Sequence, residues 1–400
     1  MAVIVLSLRH ALVGLLVLAA AACSTLPRTP FTAYQQAIAQ IPGIPGARFW
    51  ADAGGEEIRV ALRLPELLEA GRQNGGLNIL ALSGGASDGA FGAGILNGLS
   101  ARRDRPKFAL VTGVSAGALI APLAFLGSDY DDELTRAWTS GIAEPVGEAG
   151  ILAILFGQDQ RRSALFGLVA SFVDETLLRR IAEEHGRGRR LLVVTTNLDA
   201  QRPVVWDLGA IAASGQPKAL DLIRNILTAS SSIPGAFPPT QIEVEADGRS
   251  FNELHVDGGA TMQIFTIPEA VLARGVLGET KKPVGFTARF YIIVNNRLKP
   301  DFEVVQGSTG PVVARSFSSL IKTHARLTLV ATREFSSNRG IGFNLAYIDD
   351  DFPAEPKASF ETAYMRTIYQ YGYDKAASGK AWQDQIPFLD GPRRQDVARR

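Results

Sequence analysis

Histidine is scarce in this chain, cysteine is nearly absent, and neither sign of charge is in excess. The four histidines, His10, His185, His255 and His324, leave few candidates for imidazole chemistry. A single cysteine, Cys23, excludes an intramolecular disulfide. Lys plus Arg number 41 and Asp plus Glu 40, so no bulk field draws the chain to nucleic acid, and no nucleic-acid partner is expected. H-E-x-x-H, paired cysteines and EF-hand spacing are all missing, so no metal site is expected. The Gly-Lys-Ser/Thr of a P-loop is missing too. A dinucleotide fingerprint is approached from Gly92 and Gly94, but Asn97 stands where its last glycine belongs, so no cofactor is expected. What remains is a globular composition, 46% hydrophobic and 20% charged, in a chain of 400 residues that can bury a full core.

The first residues, MAVIVLSLRHALVGLLVLAAAACS, place Arg9 and His10 before an apolar run at 11–18 and then small residues up to Cys23. The pattern predicts a signal peptide over 1–22, with a core too short for a comfortable membrane span. A lone cysteine after such a site resembles the lipobox of bacterial lipoproteins. Ala20 stands where leucine is commonest in that family, and Leu18 lies two residues further back. The resemblance implies that Cys23 is acylated and anchors the protein to a membrane of the bacterial cell envelope. Ser24, in place of aspartate, implies the outer membrane. Removing 1–22 takes Arg9 and no other formal charge, leaving basic and acidic residues equal in number. Acyl chains rather than charge would then hold the protein, and more than one chain is needed for stable anchoring.

Residues 23–75 predict a tether and lead-in segment, broken by Pro27, Pro30, Pro42 and Pro45. The organised core starts at LNILALSGG, a short apolar run ending in glycines that suits a buried parallel strand. GAFGAGILNGLSAR has helical spacing, KFALVTGV predicts the next strand, and AGALIAPLAFLG a buried helix despite Pro122. The resulting strand–helix–strand–helix unit puts two glycine turns at the carboxyl edge of one sheet, where α/β sites form. Further strands are expected in RRLLVVTTNLDA, RPVVWDL, ELHVDGGA, ARFYIIVNNRL and GFNLAYIDDDF, and an amphipathic helix in LDLIRNILTAS. Two apolar clusters, 151–156 and 165–172, suit either an acyl pocket or core helices.

The chemistry concentrates in three stretches. TGVSAGA sets Ser115 between Gly113 and Gly117, the G-x-S-x-G spacing of a nucleophile on a strand-to-helix turn. SGGASDGAFGAG leaves backbone N–H groups unscreened by side chains, an array suited to a phosphate or a developing oxyanion. HVDGGA holds Asp257 at a strand end. The serine needs a base, and the residues leave two kinds open. His324 could close a Ser–Asp–His order, but it lies in SLIKTHARLTLV with no turn to present it. His185, in EEHGRGRR, is expected solvated at a helix end. His255 shares a strand face with Asp257 and is a possible accessory to the site. Asp257 itself can accept the proton if partial burial raises its pKa.

In this order the motifs resemble the patatin-like phospholipases, a family that uses a Ser–Asp dyad. SGGASDGAFGAG resembles its oxyanion loop, GVSAG its nucleophile motif, DGG its aspartate motif, and ASSSIPGAFPP at 229–239 the segment before that aspartate. The resemblance implies an α/β, three-layer fold with a mainly parallel central sheet flanked by helices. It implies Ser115 as nucleophile, Asp257 as base, and the N–H groups of Gly84, Gly85 and Ala86 as oxyanion hole. Phospholipids or related acyl esters would be the substrates. The catalytic domain would span 76–300, with 301–400 an extension packed on it. Ala86 replaces the loop's third glycine, and Asp88 stands where the family often has Arg or Lys. A histidine-dependent α/β-hydrolase esterase and a catalytically silent lipid-binding lipoprotein are the alternatives.

Overall fold

The computed structural model describes residues 27–147, 159–268, 271–272, 287–350, 352–353 and 360–388. The expected signal segment 1–22, Cys23 and the apolar cluster 151–156 lie outside the described residues. Nine strands among the described residues form one sheet: β1 (Arg48–Trp50), β2 (Leu77–Leu82), β3 (Leu110–Val114), β4 (Arg190–Asn197), β5 (Arg202–Asp207), β6 (Thr240–Ala246), β7 (Arg249–Asp257), β8 (Ala288–Arg297) and β9 (Gly342–Ile348). The order is β1-β5-β4-β3-β2-β8-β9, with β4-β3-β2-β8-β9 parallel and β5, β1, β7 and β6 joined antiparallel.

The helices are α1 (Ala33–Ile38), α2 (Gly55–Ala61), α3 (Leu64–Gln73), α4 (Gly89–Ala101), α5 (Ala116–Leu126), α6 (Asp131–Thr139), α7 (Asp159–Ala170), α8 (Glu175–Gly186), α9 (Leu208–Ala213), α10 (Ala219–Ser230), α11 (Thr309–Arg339) and α12 (Thr362–Ala377). Alternate strand residues feed opposite faces of the sheet, as the two-residue repeat of a strand requires. Leu80, Leu82, Val111 and Val193 join one core with Phe91 of α4, Ile120 of α5 and Ile226 of α10. Ile79, Ala81, Leu110 and Leu192 join the other with Leu67 of α3 and Leu329 of α11. Two cores on one sheet make three layers, and the central helix α5 is buried along its length apart from its last residue.

Two segments expected at the periphery contribute to the sheet. The lead-in 23–75 supplies β1, and residues 301–400 supply β9, paired in parallel with β8. The sheet therefore runs across the expected boundary at residue 300. The buried side of α12, Tyr364, Met365, Ile368, Tyr369, Gly372 and Ala376, packs against α4. The approach is close: a Cβ at Gly94 would stand 2.0 Å from the Tyr369 carbonyl oxygen, and one at Gly98 2.4 Å from that of Tyr373. Of the two glycines that come near a dinucleotide fingerprint, Gly94 serves this helix–helix contact and Gly92 faces Asn295 of β8.

His185 corrects an expectation. It is buried, not solvated, at the end of α8, where Leu177, Ile181 and His185 share one buried face at four-residue spacing. Burial pushes its pKa down to about 4. Its neighbour Arg190 is fully buried as well, donating to Leu62, His185 and Arg189 carbonyls and to Glu66.

Gly94→Val drives a side chain into the α12 backbone and should cost about 2–4 kcal/mol of stability. Urea unfolding of the variant beside the parent reads that loss; an unchanged midpoint would show that α12 can move away freely.

Candidate active site

Ser115 follows the last residue of β3 and caps α5 in a strained conformation, φ 54° and ψ −124°. Such backbone outliers persist only where the surroundings over-determine them. Here the turn is wedged against β2: a Cβ at Gly117 would lie 2.3 Å from the Leu82 carbonyl oxygen, so only glycine fits. The α5 N-terminus behind the serine favours negative charge on its oxygen.

Asp257 arrives from the other direction. β3 pairs with β4 as far as Val114↔Val194, and β7 then takes over the same edge with Asp257↔Thr195. The residue after β3 and the last residue of β7 are thereby set side by side. Ser115 Oγ donates to Asp257 Oδ2 at 2.6 Å, and Gly259 N–H donates to Asp257 Oδ1 at 2.7 Å. Both side chains are buried. Desolvation pushes the Asp257 pKa up to about 7, against the opposing pull of those two hydrogen bonds. The group therefore titrates near neutrality, where a proton acceptor for a serine is useful.

The three serines at the end of α10 explain the stretch ASSSIPGAFPP. Ser230 Oγ accepts the Ser115 N–H at 3.1 Å and donates to the Val194 carbonyl at 2.7 Å. Ser231 Oγ donates to the Ser115 carbonyl at 3.2 Å. The Ser232 carbonyl accepts the Asp257 N–H at 2.9 Å. One short run thus holds the backbones of both dyad residues. Sequence reasoning noted the stretch without assigning these roles; three hydroxyl residues at a helix end, just before the aspartate motif, were the available signal.

The glycine-rich loop lies at the same edge. Gly84 N–H is engaged by the Gln263 carbonyl at 3.3 Å. The N–H groups of Gly85 and Ala86 make no hydrogen bond to the described residues. Ala86 adopts φ 48°, the left-handed region, which accounts for glycine at this position in the family pattern. Asn295 of β8 braces the loop: its N–H donates to Ser83 Oγ and its Nδ2 to the Ser83 carbonyl, both at 2.8 Å. The C-terminal region braces it from the other side. Phe360 N–H donates to Ser87 Oγ at 2.8 Å, and Tyr364 Oη to Asp88 Oδ1 at 2.6 Å. Burial raises the Asp88 pKa to about 6.

The histidines stay outside the dyad. The Ser115 hydroxyl donates to Asp257, and its backbone bonds go to Ser230, Ser231, Ala118 and Leu119. His255 is buried with Nδ1 2.9 Å from Thr195 Oγ1 and Nε2 3.0 Å from Glu253 Oε2, a carboxylate also paired with Arg48. It stands two residues before Asp257 without a hydrogen bond to it. His324 lies in α11, on the long crossover from β8 to β9.

Beside Ser115 the space is apolar and nearly closed. A cavity of about 10 Å³, room for roughly one water, is walled by Leu119, Leu165, Ile233, Phe237 and Phe360. A second of about 10 Å³ shares Leu119 and Phe360 and reaches Trp138, Leu168 and Phe172. A larger cleft of about 900 Å³ between Phe31, Trp50 and Arg202 contains neither dyad residue. Its charges are paired, Arg28 with Asp199 and Arg202 with Asp52.

A buried serine–carboxylate pair thus stands at the edge of the α/β sheet, beside open N–H groups and an apolar cavity. Residues 80–268 match the family model described as patatin-like phospholipase. Over these residues the chain is similar to the patatin-like phospholipases. Among solved structures, the chain is similar to VipD from Legionella pneumophila, at 12% identity and TM-score 0.32 over 76% of this chain. It is also similar to the type III effector protein ExoU, at 12% identity and TM-score 0.29 over 81% of this chain. The chain spans 66% of the length of the first and 58% of the second. A search of curated proteins finds no match.

Because the folded pKa of Asp257 is raised, the proton favours the fold. That contribution is full below the unfolded value near 4 and is lost as pH rises through about 7. Asp257→Asn should therefore resist urea better than the parent at pH 8.5, by on the order of 3 kcal/mol. The gap should shrink toward pH 5. Equal stability of the two proteins at pH 8.5 would refute burial as the cause of the shift.

Proposed function

We propose that the protein hydrolyses acyl ester bonds of phospholipids or related lipids through a Ser115–Asp257 dyad. The observation that carries the reading is the 2.6 Å hydrogen bond from Ser115 Oγ to a carboxylate that titrates near pH 7. As Ser115 Oγ attacks the ester carbonyl carbon, its proton passes to Asp257 Oδ2. The carbonyl oxygen becomes negative and is held by the free N–H groups of Gly85 and Ala86. Gly84, whose N–H is engaged by Gln263, contributes by shaping the loop. Collapse of the intermediate breaks the ester C–O bond, and the leaving oxygen takes the proton from Asp257. Water then gives its proton to Asp257 and attacks the acyl-enzyme; the fatty acid leaves and the proton returns to Ser115 Oγ. Each oxyanion donor is worth about 3 kcal/mol of barrier.

The acyl chain enters between Leu119, Leu165, Phe237 and Phe360, where side chains must move apart to admit it. Cys23, acylated after loss of 1–22, anchors the enzyme in the bacterial cell envelope, at the outer membrane. The supports for that anchor are the small-residue run before Cys23 and the serine after it. His255 acts on Asp257 only through the strand they share.

On a soluble chromogenic ester, kcat/KM should rise with pH by one proton and reach half its plateau near pH 7, because only ionised Asp257 accepts the serine proton. Ser115→Ala and Asp257→Asn should each lose about a thousandfold or more. His324→Ala and His255→Asn should stay within about threefold of the parent. Loss of turnover in either histidine variant, with the fold intact, would move the base from Asp257 to an imidazole.

A further inference from the structure

We propose that loop 298–308 and the first turns of α11 form a spur that docks on an anionic lipid bilayer and turns the Ser115 edge of the sheet toward it. The proposal rests on the reading of the site as one for acyl lipids.

β8 ends at Arg297 on the carboxyl edge of the parallel block, where its neighbour β2 runs into the oxyanion loop and β3 into Ser115. α11 starts at this edge and returns along the sheet to β9. Its 31 residues span about 46 Å at 1.5 Å each, whereas the seven residues of β9 cover about 23 Å. The excess is visible in the burial. The buried residues of the helix are Ala325, Leu329, Thr332, Phe335 and Ser336, so roughly 24 Å of helix before Ala325 extends past its packed part.

This overhang is apolar where it is bare. Phe302 is 91% exposed and Val304 82%; Val313, Leu320 and Leu327 are 61%, 69% and 64% exposed. The last three recur every seven residues and so line one helix face, about opposite to Ala325. Scattered exposed apolar side chains are ordinary. A group of them on one spur, led by an almost wholly bare phenylalanine, marks an interaction surface.

Charge selects the occupant. Between Thr309 and Arg333 the helix carries Arg315, Lys322, Arg326 and Arg333 and no acidic residue. The loop acids are matched, Asp301 by Lys322 Nζ at 2.5 Å and Glu303 by Arg315 Nη1 at 3.1 Å. Arg326, next to Ala325, has no acidic partner among the described residues, while Arg333 lies in the packed part, donates to the Asp384 carbonyl and is followed by Glu334. Apolar side chains flanked by a surplus cation suit the interface of a bilayer with anionic headgroups. A symmetric pairing with a second copy would instead set cations against cations. No helix among the described residues is long and apolar enough to cross a membrane, so the contact is interfacial.

The test uses the full chain with Cys23→Ser, to remove any acyl anchor, and Ser115→Ala, to stop turnover. Flotation with phosphatidylcholine vesicles, with and without phosphatidylglycerol, should show binding that needs the anionic lipid and weakens with salt. Adding Phe302→Asp and Val313→Asp should cut the bound fraction at least about tenfold, and Leu320→Asp alone should weaken binding in the same direction. Unchanged binding in these variants overturns the proposal. So does a parent that ignores vesicles but dimerises through residues these substitutions disrupt. With Ser115 restored, Phe302→Asp/Val313→Asp should turn over a soluble ester like the parent. If no form does, the hydrolase reading fails, while flotation still decides the docking surface.

Discussion

One strand edge carries the site. β4 pairs with β3 up to Val194 and with β7 from Thr195 onward, so two chain segments that are 142 residues apart in sequence meet at a fixed register. A slip of one residue in β7 would turn Asp257 to the opposite face of the sheet. The serines at the end of α10 lock that handover, because Ser230 and Ser231 grip the elbow backbone while Ser232 grips Asp257. The pairing gives the dyad its geometry, and α10 keeps the two partners from drifting independently.

That geometry is held against two local costs. Ser115 sits in an unfavourable backbone region, worth on the order of 1–3 kcal/mol. Asp257 is buried with a hydroxyl and one N–H as its partners and no neighbouring cation among the described residues. A nearby arginine would relieve the burial but would also pull the pKa down, leaving a weaker base. The missing counter-charge is therefore what makes the carboxylate basic near pH 7. The cores on both faces of the sheet offset the cost, as is usual for functional sites that break local rules.

Much of this could be read before any coordinates. The strands LNILAL and RRLLVVTTN announce themselves as apolar runs ending in turn residues, and G-x-S-x-G on a strand–helix boundary locates Ser115. Ser–Asp proximity was expected from family resemblance, because strand pairing between distant segments leaves no local pattern. The failures have physical reasons. HGRGRR looks solvated by composition, yet Arg190 is buried because carbonyls of Leu62, His185 and Arg189 and the Glu66 carboxylate take its donors; His185 follows Leu177 and Ile181 onto one helix face. The strand in GFNLAYIDDDF was expected, but its place beside β8 was not legible, because a crossover as long as α11 separates the two.

The oxyanion loop shows how the later part of the chain enters the chemistry. Asp88, where the family often has a cation, is not an idle departure: its carboxyl accepts the Tyr364 hydroxyl, and Ser87 beside it accepts the Phe360 N–H. Phe360 holds φ 58°, and its side chain walls both apolar cavities beside Ser115. The same residue therefore touches the space proposed to admit an acyl chain and the loop proposed to receive the oxyanion. A cation at position 88 would act on the negative oxygen by charge, through space. An aspartate there acts instead by anchoring, since the free N–H groups of Gly85 and Ala86 are useful only while the loop stays in place. Helix α12, pressed onto α4 by Gly94 and Gly98, supplies that anchor. The close helix–helix contact is thus part of the proposed site's support, although none of its glycines touches Ser115 or Asp257.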